Sequence, residues 1–285
     1  MRQVEPPSTV PPETRPPVQE PPFVLPETVE LREGIVFARP PGKTLALDLF
    51  LPRRRPAAPR PGIVYVHGGG WRGGHRQAFW RQAAHLADLG LPGITITYRF
   101  APEHRYPAQL EDVRAGVAWL RANAAELGVD ATRLGAAGGS AGGHLAALLG
   151  TTETIADGCS TKVQAVVAFN GVFDFLTLDT IGAAGPRRDL LGGDPQLERE
   201  ASPLHRADAR AAPALLLHGT ADQTVPFAQS VAFQRCLAEL GVRAELYAAE
   251  GAGHGFFNRP PHFRPTLERM TQFFLDVLGE AGRRE

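Results

Sequence analysis

Short apolar runs alternate with helical patterns along most of this chain, and this alternation constrains the fold more than any other feature. Six runs are continuous enough to be strands buried on both faces: GIVYVHG, GITITYR, RLGAAGG, VQAVVAF, PALLLHG and RAELYAA. Helical patterns lie between them, for example over residues 107–127 and 262–278, where apolar residues recur on one face. The alternation predicts an α/β fold with a mostly parallel central sheet and helices on both faces.

The run LALDLFL differs from these six because its apolar residues alternate with others. Leu45, Leu47, Leu49 and Leu51 share one face, which is typical of an antiparallel strand. In mostly parallel sheets, ligands bind beyond the carboxyl ends of the strands. We therefore look for functional residues in the loops that follow the strands.

The length and charge of the chain exclude several classes of function. With 285 residues, of which 43% are hydrophobic and 21% charged, the chain suits one large domain with a substantial core. Its formal net charge is zero, so we expect no nucleic-acid partner, which would need a basic surface. The apolar stretches are too short to span a bilayer. The oligomeric state stays open.

Proline pairs at 6–7, 11–12, 16–17 and 21–22 set the first residues apart from the rest. Such a segment favours extended polyproline II over a helix or a sheet. We predict a disordered tail or linker over residues 1–27 and one folded domain over residues 28–281. Met1 is not followed by the charged and apolar regions of a signal peptide. The proline-rich N-terminus is compatible with a mature exported protein, and otherwise we expect a cytoplasmic one, so the compartment stays open.

The chain has two cysteines, Cys159 and Cys236. Two are too few for a disulfide framework. Cys236 falls in the helical run FAQSVAFQRCLAEL, which favours a buried thiol. The sequence alone does not decide whether the two cysteines pair.

The segment HGGGWRG contains a literal G-x-G-x-x-G in Gly68, Gly70 and Gly73, with Asp88 twenty residues after Gly68. A dinucleotide site needs its acidic residue at the end of the next strand. Asp88 instead falls inside the intervening helical pattern, and the glycines do not open a helix promptly. We therefore do not expect a nucleotide cofactor.

The segment AAGGSAGGHLAALLG places Ser140 in a G-x-S-x-G pattern between a strand and a helix. A serine at such a turn takes strained backbone angles, and its glycine neighbours let strand and helix approach closely. No GK[ST] follows, so the segment is not a phosphate-binding P-loop. Taken alone, the pattern also fits a serine in an ordinary tight turn.

Two further residues occur in the order that a serine hydrolase requires. Asp222 lies in the loop after PALLLHG, and His254 lies in a glycine-rich loop after the next strand. A serine hydroxyl is a weak nucleophile until a base takes its proton. His254 is the candidate base, and Asp222 is the candidate residue that orients it. Each also has a plain structural explanation, Asp222 as a helix cap and His254 as a loop histidine.

The glycines after His67 suggest a second part of the same site. Backbone N–H groups can point into a site only where side chains do not crowd them. Gly68 and Gly69, together with the N–H of Ala141, are candidates for an oxyanion hole. We expect His67 to brace this loop rather than to react.

These segments together resemble the α/β-hydrolase superfamily. The resemblance is closest to the hormone-sensitive-lipase-like esterases and to the related bacterial carbohydrate-esterase and feruloyl-esterase-like (BD-FAE-like) group. The motifs that carry it are HGGGW (67–71), YRFAPEHRYPAQLEDV (98–113), GGSAGGHLAALL (138–149), HGTADQTVP (218–226) and GAGHGF (251–256). The resemblance spans about residues 30–278, so it covers nearly the whole predicted domain.

The resemblance implies a serine carboxylesterase that uses Ser140, Asp222 and His254, without a cofactor or a metal. Two departures matter. Lipase-like members often carry an N-terminal helical cap, whereas here a proline-rich segment precedes strands; many also have Asp where this chain has Gly139. Both departures favour a small or absent cap, an open site, and short acetyl or hydroxycinnamoyl-type esters on small molecules or carbohydrate polymers.

Several other residues flank the candidate catalytic loops. Four large apolar residues are candidates for lining the substrate pocket, although a core role is as good an explanation: Trp71, Phe173, Val225 and Phe256. Asp174 is the second candidate for the triad acid, and residues 175–203 are the candidate lid or rim. Glu103, His104 and Asp112 are expected to brace the loop that begins at Tyr98.

Two other functions share parts of this pattern. A serine peptidase of the prolyl-oligopeptidase type has the same triad order, but that class usually adds a β-propeller, for which 285 residues leave no room. A non-catalytic binding protein with a hydrolase fold is the other alternative. A complete set of Ser140, Asp222, His254 and oxyanion glycines argues against it.

Overall fold

The structure is a computed structural model that describes residues 23–156, 158–178 and 185–279. Its strands are β1 (Val29–Ala38), β2 (Leu45–Pro52), β3 (Arg60–Val66), β4 (Gly93–Ile96), β5 (Val129–Gly139), β6 (Ile155–Ala156), β7 (Cys159–Ser160), β8 (Ala165–Phe169), β9 (Ala214–Gly219) and β10 (Ala244–Ala249). Its helices are α1 (Trp80–Asp88), α2 (Ala108–Ala122), α3 (Ala124–Leu127), α4 (Ala141–Thr151), α5 (Pro186–Leu191), α6 (Pro195–Glu200), α7 (Pro203–Arg206), α8 (Ala228–Glu239) and α9 (Phe263–Leu278). Short 3-10 helices span Arg76–Phe79 and Phe256–Asn258. Within the described ranges, no helix is long and apolar enough to cross a membrane.

Eight strands form one sheet in the order β1-β2-β4-β3-β5-β8-β9-β10. Strand β2 is antiparallel to both β1 and β4, and the pairs from β4 through β10 are parallel. The chain runs from β3 to β4 on one side and then returns to β5 on the other. The carboxyl ends of the parallel strands therefore meet at one edge of the sheet, where such folds place their ligands.

Helices cover both faces of the sheet, as the alternation predicts. On one face, α2, α4 and α8 bury residues such as Val113, Leu145 and Phe233. On the other face, α1 and α9 bury residues such as Leu86 and Phe274. The predicted α/β fold with a mostly parallel central sheet is confirmed.

Strand β2 is antiparallel, as predicted, but it does not have an exposed face. Leu45, Leu47 and Leu49 are buried, and so are Asp48 and Phe50 on the opposite face. The carboxylate of Asp48 accepts hydrogen bonds from the Gly34 N–H (2.9 Å) and the Trp80 Nε1–H (3.0 Å), and it pairs with Arg76 (2.7 Å). A buried charge needs such partners. The alternation thus reflects one apolar face and one face that holds a buried ion pair.

The run RAELYAA forms β10, but it is not buried on both faces as predicted. Strand β10 lies at the edge of the sheet, and Glu245 and Ala248 are exposed while Ala249 is buried. Tyr247 is covered by the guanidinium of Arg269 from α9, 4.3 Å from the ring centroid. A short apolar run does not reveal whether a strand has neighbours on one side or on two.

The folded domain begins before residue 28. Phe23 packs its ring against Trp80, with centroids 5.6 Å apart, and Leu25 packs against the same side of the core. Residues 23–27 therefore belong to the domain rather than to the tail predicted for residues 1–27. Residues 1–22 and 280–281 lie outside the described residues. Cys159 and Cys236 are both free thiols, which settles their pairing.

Candidate active site

The three candidate catalytic residues lie at one edge of the sheet, each just after a strand. Ser140 follows β5 directly, Asp222 lies in the loop after β9, and His254 lies in the loop after β10. Their separation in sequence is large, but parallel strands bring these loops together.

Ser140 sits at a sharp turn between β5 and α4, with φ 55° and ψ −118°. A residue other than glycine rarely adopts a positive φ. The surrounding glycines leave no room for a Cβ: one added at Gly142 would lie 2.0 Å from the carbonyl oxygen of Val66, and one at Gly138 would lie 2.3 Å from the carbonyl oxygen of Gly142. The glycines therefore allow β3, β5 and α4 to approach closely, and the turn projects Ser140 from the sheet edge.

The structure brings Ser140, His254 and Asp222 into one hydrogen-bonded chain. Nε2 of His254 lies 3.0 Å from Oγ of Ser140, and its Nδ1 lies 2.7 Å from Oδ2 of Asp222. Oδ1 of Asp222 accepts the N–H groups of Thr224 (2.8 Å) and Val225 (3.0 Å). Because an ionised Asp222 only accepts, Nδ1 carries the proton and the lone pair of Nε2 faces the hydroxyl. This is the arrangement in which an imidazole can take a proton from serine.

The carboxylate of Asp222 stays ionised at the edge of the core. Burial raises the pKa of Asp222, but hydrogen bonds from His218, from His254 and from the Val225 N–H outweigh it, so the pKa lies below its ordinary value. A permanently charged Asp222 can stabilise an imidazolium on His254.

Two residues that contact His254 or Asp222 were not predicted from the sequence. Nδ2 of Asn170 lies 2.7 Å from the carbonyl oxygen of His254, and Asn170 adopts a φ of 40° directly after β8. His218, at the end of β9, lies 3.2 Å from Oδ2 of Asp222. A polar residue directly at the end of a buried strand is a usable signal for such positions.

The loop that follows β3, residues 67–74, is rich in glycine and is called the glycine loop. Its backbone packs against Ser140. A Cβ at Gly68 would lie 2.7 Å from the carbonyl oxygen of Gly139 and 3.3 Å from Cβ of Ser140. Gly69 has a φ of 125°, and a Cβ there would lie 2.2 Å from the carbonyl oxygen of Gly73. Ala141 begins α4, where N–H groups of the first turn lack an intrahelical acceptor. Of the candidate oxyanion residues, Gly68 lies against Ser140, Ala141 follows it in the chain, and Gly69 lines the same cavity as Ser140.

His67 braces this loop from below. Its Nδ1 donates to the carbonyl oxygen of Gly68 (2.7 Å), and its ring stacks on Tyr98 with centroids 4.4 Å apart. Burial lowers the pKa of His67 to about 4, so it is neutral near pH 7. It does not contact Ser140, which agrees with a bracing role.

Trp71 closes the same loop in an unusual backbone conformation, with φ 58°. Its indole N–H donates to Nδ1 of His144 (3.1 Å), and Nε2 of His144 donates to the carbonyl oxygen of Ala201 (2.7 Å). His144, which was not predicted, therefore joins the glycine loop, α4 and the segment before α7. Burial lowers the pKa of His144 to about 4.

A cavity of about 820 Å³ opens onto Ser140 and His254. Its lining also includes an apolar group, Ala78, Phe79 and Phe257, and a polar group, His75, Asn170, Gln223, Thr224 and Asn258. Trp71, one of the four candidate pocket residues, lines this cavity. In the described part of the chain, no group of three His, Cys, Asp or Glu side chains has the arrangement of a metal site.

The other three predicted pocket residues lie outside this lining. Phe173 is fully buried and stacks on Phe233 with centroids 4.6 Å apart. Val225 is fully buried beneath the turn of Asp222, and Phe256 packs against His262, 5.7 Å away. Proximity to a catalytic loop in sequence does not fix which way a side chain points. Phe79 and Phe257 line the cavity instead of these three residues.

The remaining candidates have structural partners. Asp174 is 3.1 Å from His205 and accepts the Leu176 N–H, so it is not the acid that contacts His254. Asp112 binds the guanidinium of Arg99 and braces the loop after β4, as expected. Glu103 is exposed and does not brace the loop, whereas the carbonyl oxygen of His104 accepts a hydrogen bond from the Gln109 side chain (2.6 Å).

Part of the predicted rim, residues 175–203, does border the cavity. Pro186 at the start of α5 lines it and lies against Gly70, and Asp189 pairs with Arg72 at 3.0 Å. Helix α5 therefore contacts the glycine loop directly. Residues 179–184 lie outside the described residues.

Comparison with known families and structures identifies the family of this protein. The model of the BD-FAE family matches residues 47–237, about two thirds of the sequence. The chain belongs to the BD-FAE family.

The relatives of this BD-FAE member are esterases. It is 34% identical over 227 residues to Esterase LipC of Mycobacterium tuberculosis, an alignment that covers 74% of the chain and 56% of LipC. It thus spans a little over half the length of that curated relative. It is 31% identical to esterase 2 of Thermogutta terrifontis, solved phosphoramylated by tabun, with a TM-score of 0.75 and coverage of 92% of this chain and 98% of that one. A truncated carbohydrate esterase from gut microbiota is 26% identical, with a TM-score of 0.75 and coverage of 87% and 95%. The fold is that of the α/β-hydrolases.

Proposed function

We propose that this BD-FAE member is a serine carboxylesterase that cleaves short acyl esters through an acyl-enzyme intermediate. The observation that carries the proposal is the unbroken hydrogen-bond chain from Ser140 through His254 to Asp222 at the mouth of the cavity. The similarity to an esterase solved with tabun attached supports a nucleophilic mechanism.

The first half of the reaction forms the acyl-enzyme. Nε2 of His254 takes the proton of Ser140 as Oγ attacks the ester carbonyl carbon. The carbonyl oxygen becomes negative and accepts hydrogen bonds from the N–H groups of Gly68, Gly69 and Ala141. As the C–O bond to the alcohol breaks, His254 returns its proton to the leaving alkoxide. The alcohol departs, and the acyl group remains on Ser140.

The second half regenerates the enzyme. Water takes the place of the alcohol, His254 removes its proton, and the resulting hydroxide attacks the acyl carbon. Collapse of the second tetrahedral intermediate releases the carboxylic acid and returns the proton to Ser140. Asp222 remains ionised throughout and stabilises His254 whenever the imidazole is charged.

The shape of the cavity supports a short acyl group. A Cβ at Gly139 would lie 2.7 Å from Cζ of Phe257 and 3.5 Å from Cζ of Phe79. These two rings, stacked 5.9 Å apart, lie beside Gly139 and leave little room there for a long acyl chain. The cavity lining also includes His75, Gln223 and Asn258, whose polar side chains suit a hydroxyl-rich alcohol, and the similarity to a carbohydrate esterase supports such a substrate.

Hydrolysis of a panel of esters tests the proposed function. The panel contains nitrophenyl esters from acetyl to decanoyl, a feruloyl ester, acetylated xylan and a peptide anilide as the peptidase arm. We expect turnover of acetyl to butyryl esters, and Ser140→Ala should lower kcat by at least about 10⁴-fold. Ser160→Ala, which changes a serine bonded to Glu153 away from the cavity, is the matched control. Retained hydrolysis in Ser140→Ala, or cleavage of the anilide alone, would contradict the proposal.

The acyl limit has its own test in adjacent phenylalanines. Phe257→Ala should admit hexanoyl to decanoyl esters, because it removes the ring beside Gly139. Phe256→Ala removes a neighbouring buried ring that does not line the cavity, so it should leave the chain-length profile unchanged. Equal profiles for the two variants, measured as kcat/KM across the panel, would place the acyl group elsewhere.

A further inference from the structure

His218 is a second histidine in contact with Asp222. Its side chain is fully buried. Its Nε2 lies 3.2 Å from Oδ2 of Asp222, the same oxygen that binds Nδ1 of His254, and 3.0 Å from the carbonyl oxygen of Val225. The reaction steps described above give His218 no role.

The neighbours of His218 determine where its proton lies. The carbonyl of Val225 and the ionised Asp222 accept hydrogen bonds and donate none. Nε2 of His218 therefore carries a proton, which it shares between these two oxygens. In the neutral imidazole the lone pair then lies on Nδ1, so Nδ1 needs a donor.

Ser230 supplies that donor. Its Oγ lies 2.7 Å from Nδ1 of His218, and Ser230 is fully buried in the first turn of α8. The ring edge of Phe227 packs beside the imidazole, with centroids 5.7 Å apart. The position and the tautomer of His218 are thus both fixed from α8.

We propose that Ser230 and His218 form a second serine–histidine pair that positions the carboxylate of Asp222 for catalysis. The inference rests on the proposed function. A chain of polar contacts then runs from Ser230 through His218, Asp222 and His254 to Ser140, and the His218–Asp222 contact in it is 3.2 Å long. His218 is a positioning residue, because it acts on the reaction through Asp222.

The pair restrains both oxygens of the carboxylate. His218 donates toward Oδ2, and by binding the carbonyl of Val225 it also fixes the turn whose N–H groups bind Oδ1. A carboxylate held at both oxygens keeps His254 in the orientation that faces Ser140. Loss of the pair should therefore lower kcat more than it changes KM.

The donor on Oδ2 also tunes the base. It draws negative charge from Asp222 and so moderates how strongly this carboxylate stabilises the imidazolium of His254. Without the donor, Asp222 should stabilise the imidazolium of His254 more strongly. Activity needs neutral His254, so the acid limb of the rate profile should move to higher pH.

Few other groups can contribute to that shift. Among the described residues in contact with the carboxylate, the titratable ones are His218 on β9 and His254 in the loop after β10. The turn contributes neutral N–H groups, and α8 contributes the hydroxyl of Ser230. The other contacts of His254 are Ser140 and the amide of Asn170, which do not titrate near neutral pH.

The test compares matched variants in the full chain, with nitrophenyl acetate as substrate. His218→Leu removes the donor, and His218→Gln keeps an N–H near the position of Nε2. We expect His218→Leu to lower kcat about tenfold with little change in KM and to move the acid limb upward, and His218→Gln to restore most of both. Ser230→Ala should lower kcat and raise the acid limb by less than His218→Leu does. Ser230→Thr, which keeps the hydroxyl, should have values close to those of the unmodified protein.

If His218→Leu does not fold, the comparison of Ser230→Ala with Ser230→Thr decides the matter. An unmoved acid limb with unchanged kcat, or a loss of activity that only follows the folded fraction, would overturn the inference. The titration of the His254 imidazole, followed by NMR, does not depend on turnover. If the unmodified protein hydrolyses no ester, the proposed function fails, while the NMR titration still shows whether His218 tunes His254.

Discussion

At the scale of single residues, the glycines around Ser140 have no space for a side chain. A Cβ at Gly142 would lie 2.0 Å from the carbonyl oxygen of Val66, and backbone atoms cannot move aside as a flexible side chain can. Gly142→Ala should therefore lower the free energy of unfolding by about 3 kcal/mol or prevent folding. Gly73, in the neighbouring glycine-rich loop, has no atom within 4 Å of an added Cβ.

Urea unfolding of the two alanine variants checks this prediction. Gly73→Ala should unfold within about 0.5 kcal/mol of the unmodified protein. A Gly142→Ala variant as stable as Gly73→Ala would mean that the turn relaxes, and that the glycines are not required for packing.

The candidate catalytic residues were easier to predict than the residues that position them. Ser140, Asp222 and His254 stand in motifs whose order is tied to the chemistry, and the structure brings all three together. The contacts of His218 and Asn170 depend on where their side chains point. That direction depends on how the strands pair and cannot be read from residue spacing in the sequence. Phe257 illustrates the same point, because it lines the cavity while its neighbour Phe256 does not.

At the scale of elements, a buried ion pair joins β2 to the 3-10 helix Arg76–Phe79 that borders the cavity. Asp48 is fully buried and Arg76 is mostly buried, at 2.7 Å. Asp48→Asn keeps the shape but leaves Arg76 without its partner, so unfolding should become easier by about 2 kcal/mol or more. Glu239→Gln breaks an exposed pair with Arg235 on α8 and should cost less than about 0.5 kcal/mol.

Urea unfolding and the KM for acetyl esters distinguish the two variants. Because Phe79 follows Arg76 in the same short helix and lines the cavity, Asp48→Asn should also raise KM. Equal stability of the two variants would show that the pair does not anchor this helix.

Element types followed from the sequence better than element surroundings did. The alternation of short apolar runs with helical patterns identified the parallel strands and the long helices. It did not distinguish β10 at the edge from β9 inside the sheet, because both runs are short and apolar. Nor did it show that Asp48 faces inward, since a buried charge is identified only by its partners.

At the scale of the whole molecule, two buried neutral histidines link stability to pH. His67 and His144 each have a pKa lowered to about 4 by burial. The unfolded chain takes up these protons near pH 6.5, about the ordinary value for histidine, while the folded state does not. Stability is therefore full above about pH 6.5 and falls as the pH drops toward 4, by up to about 1.4 kcal/mol per pH unit for each histidine.

Urea unfolding at several pH values between 7.5 and 4.5 measures this slope. His144→Gln should lower this slope, even if the variant is less stable at every pH. The low pKa of Asp222 acts in a separate range, because its contribution is lost only at more acidic pH. A slope that His144→Gln leaves unchanged would mean that His144 is not the source.

In the proposed mechanism Ser140 is the nucleophile, activated by His254 and Asp222. The most direct test treats the folded protein with a fluorophosphonate and locates the adduct by peptide mass spectrometry. This mechanism predicts one adduct per chain, on Ser140, with labelling abolished in Ser140→Ala and slowed by at least about 10³-fold in His254→Ala. An unlabelled folded protein, or an adduct on another residue that persists in Ser140→Ala, would contradict it.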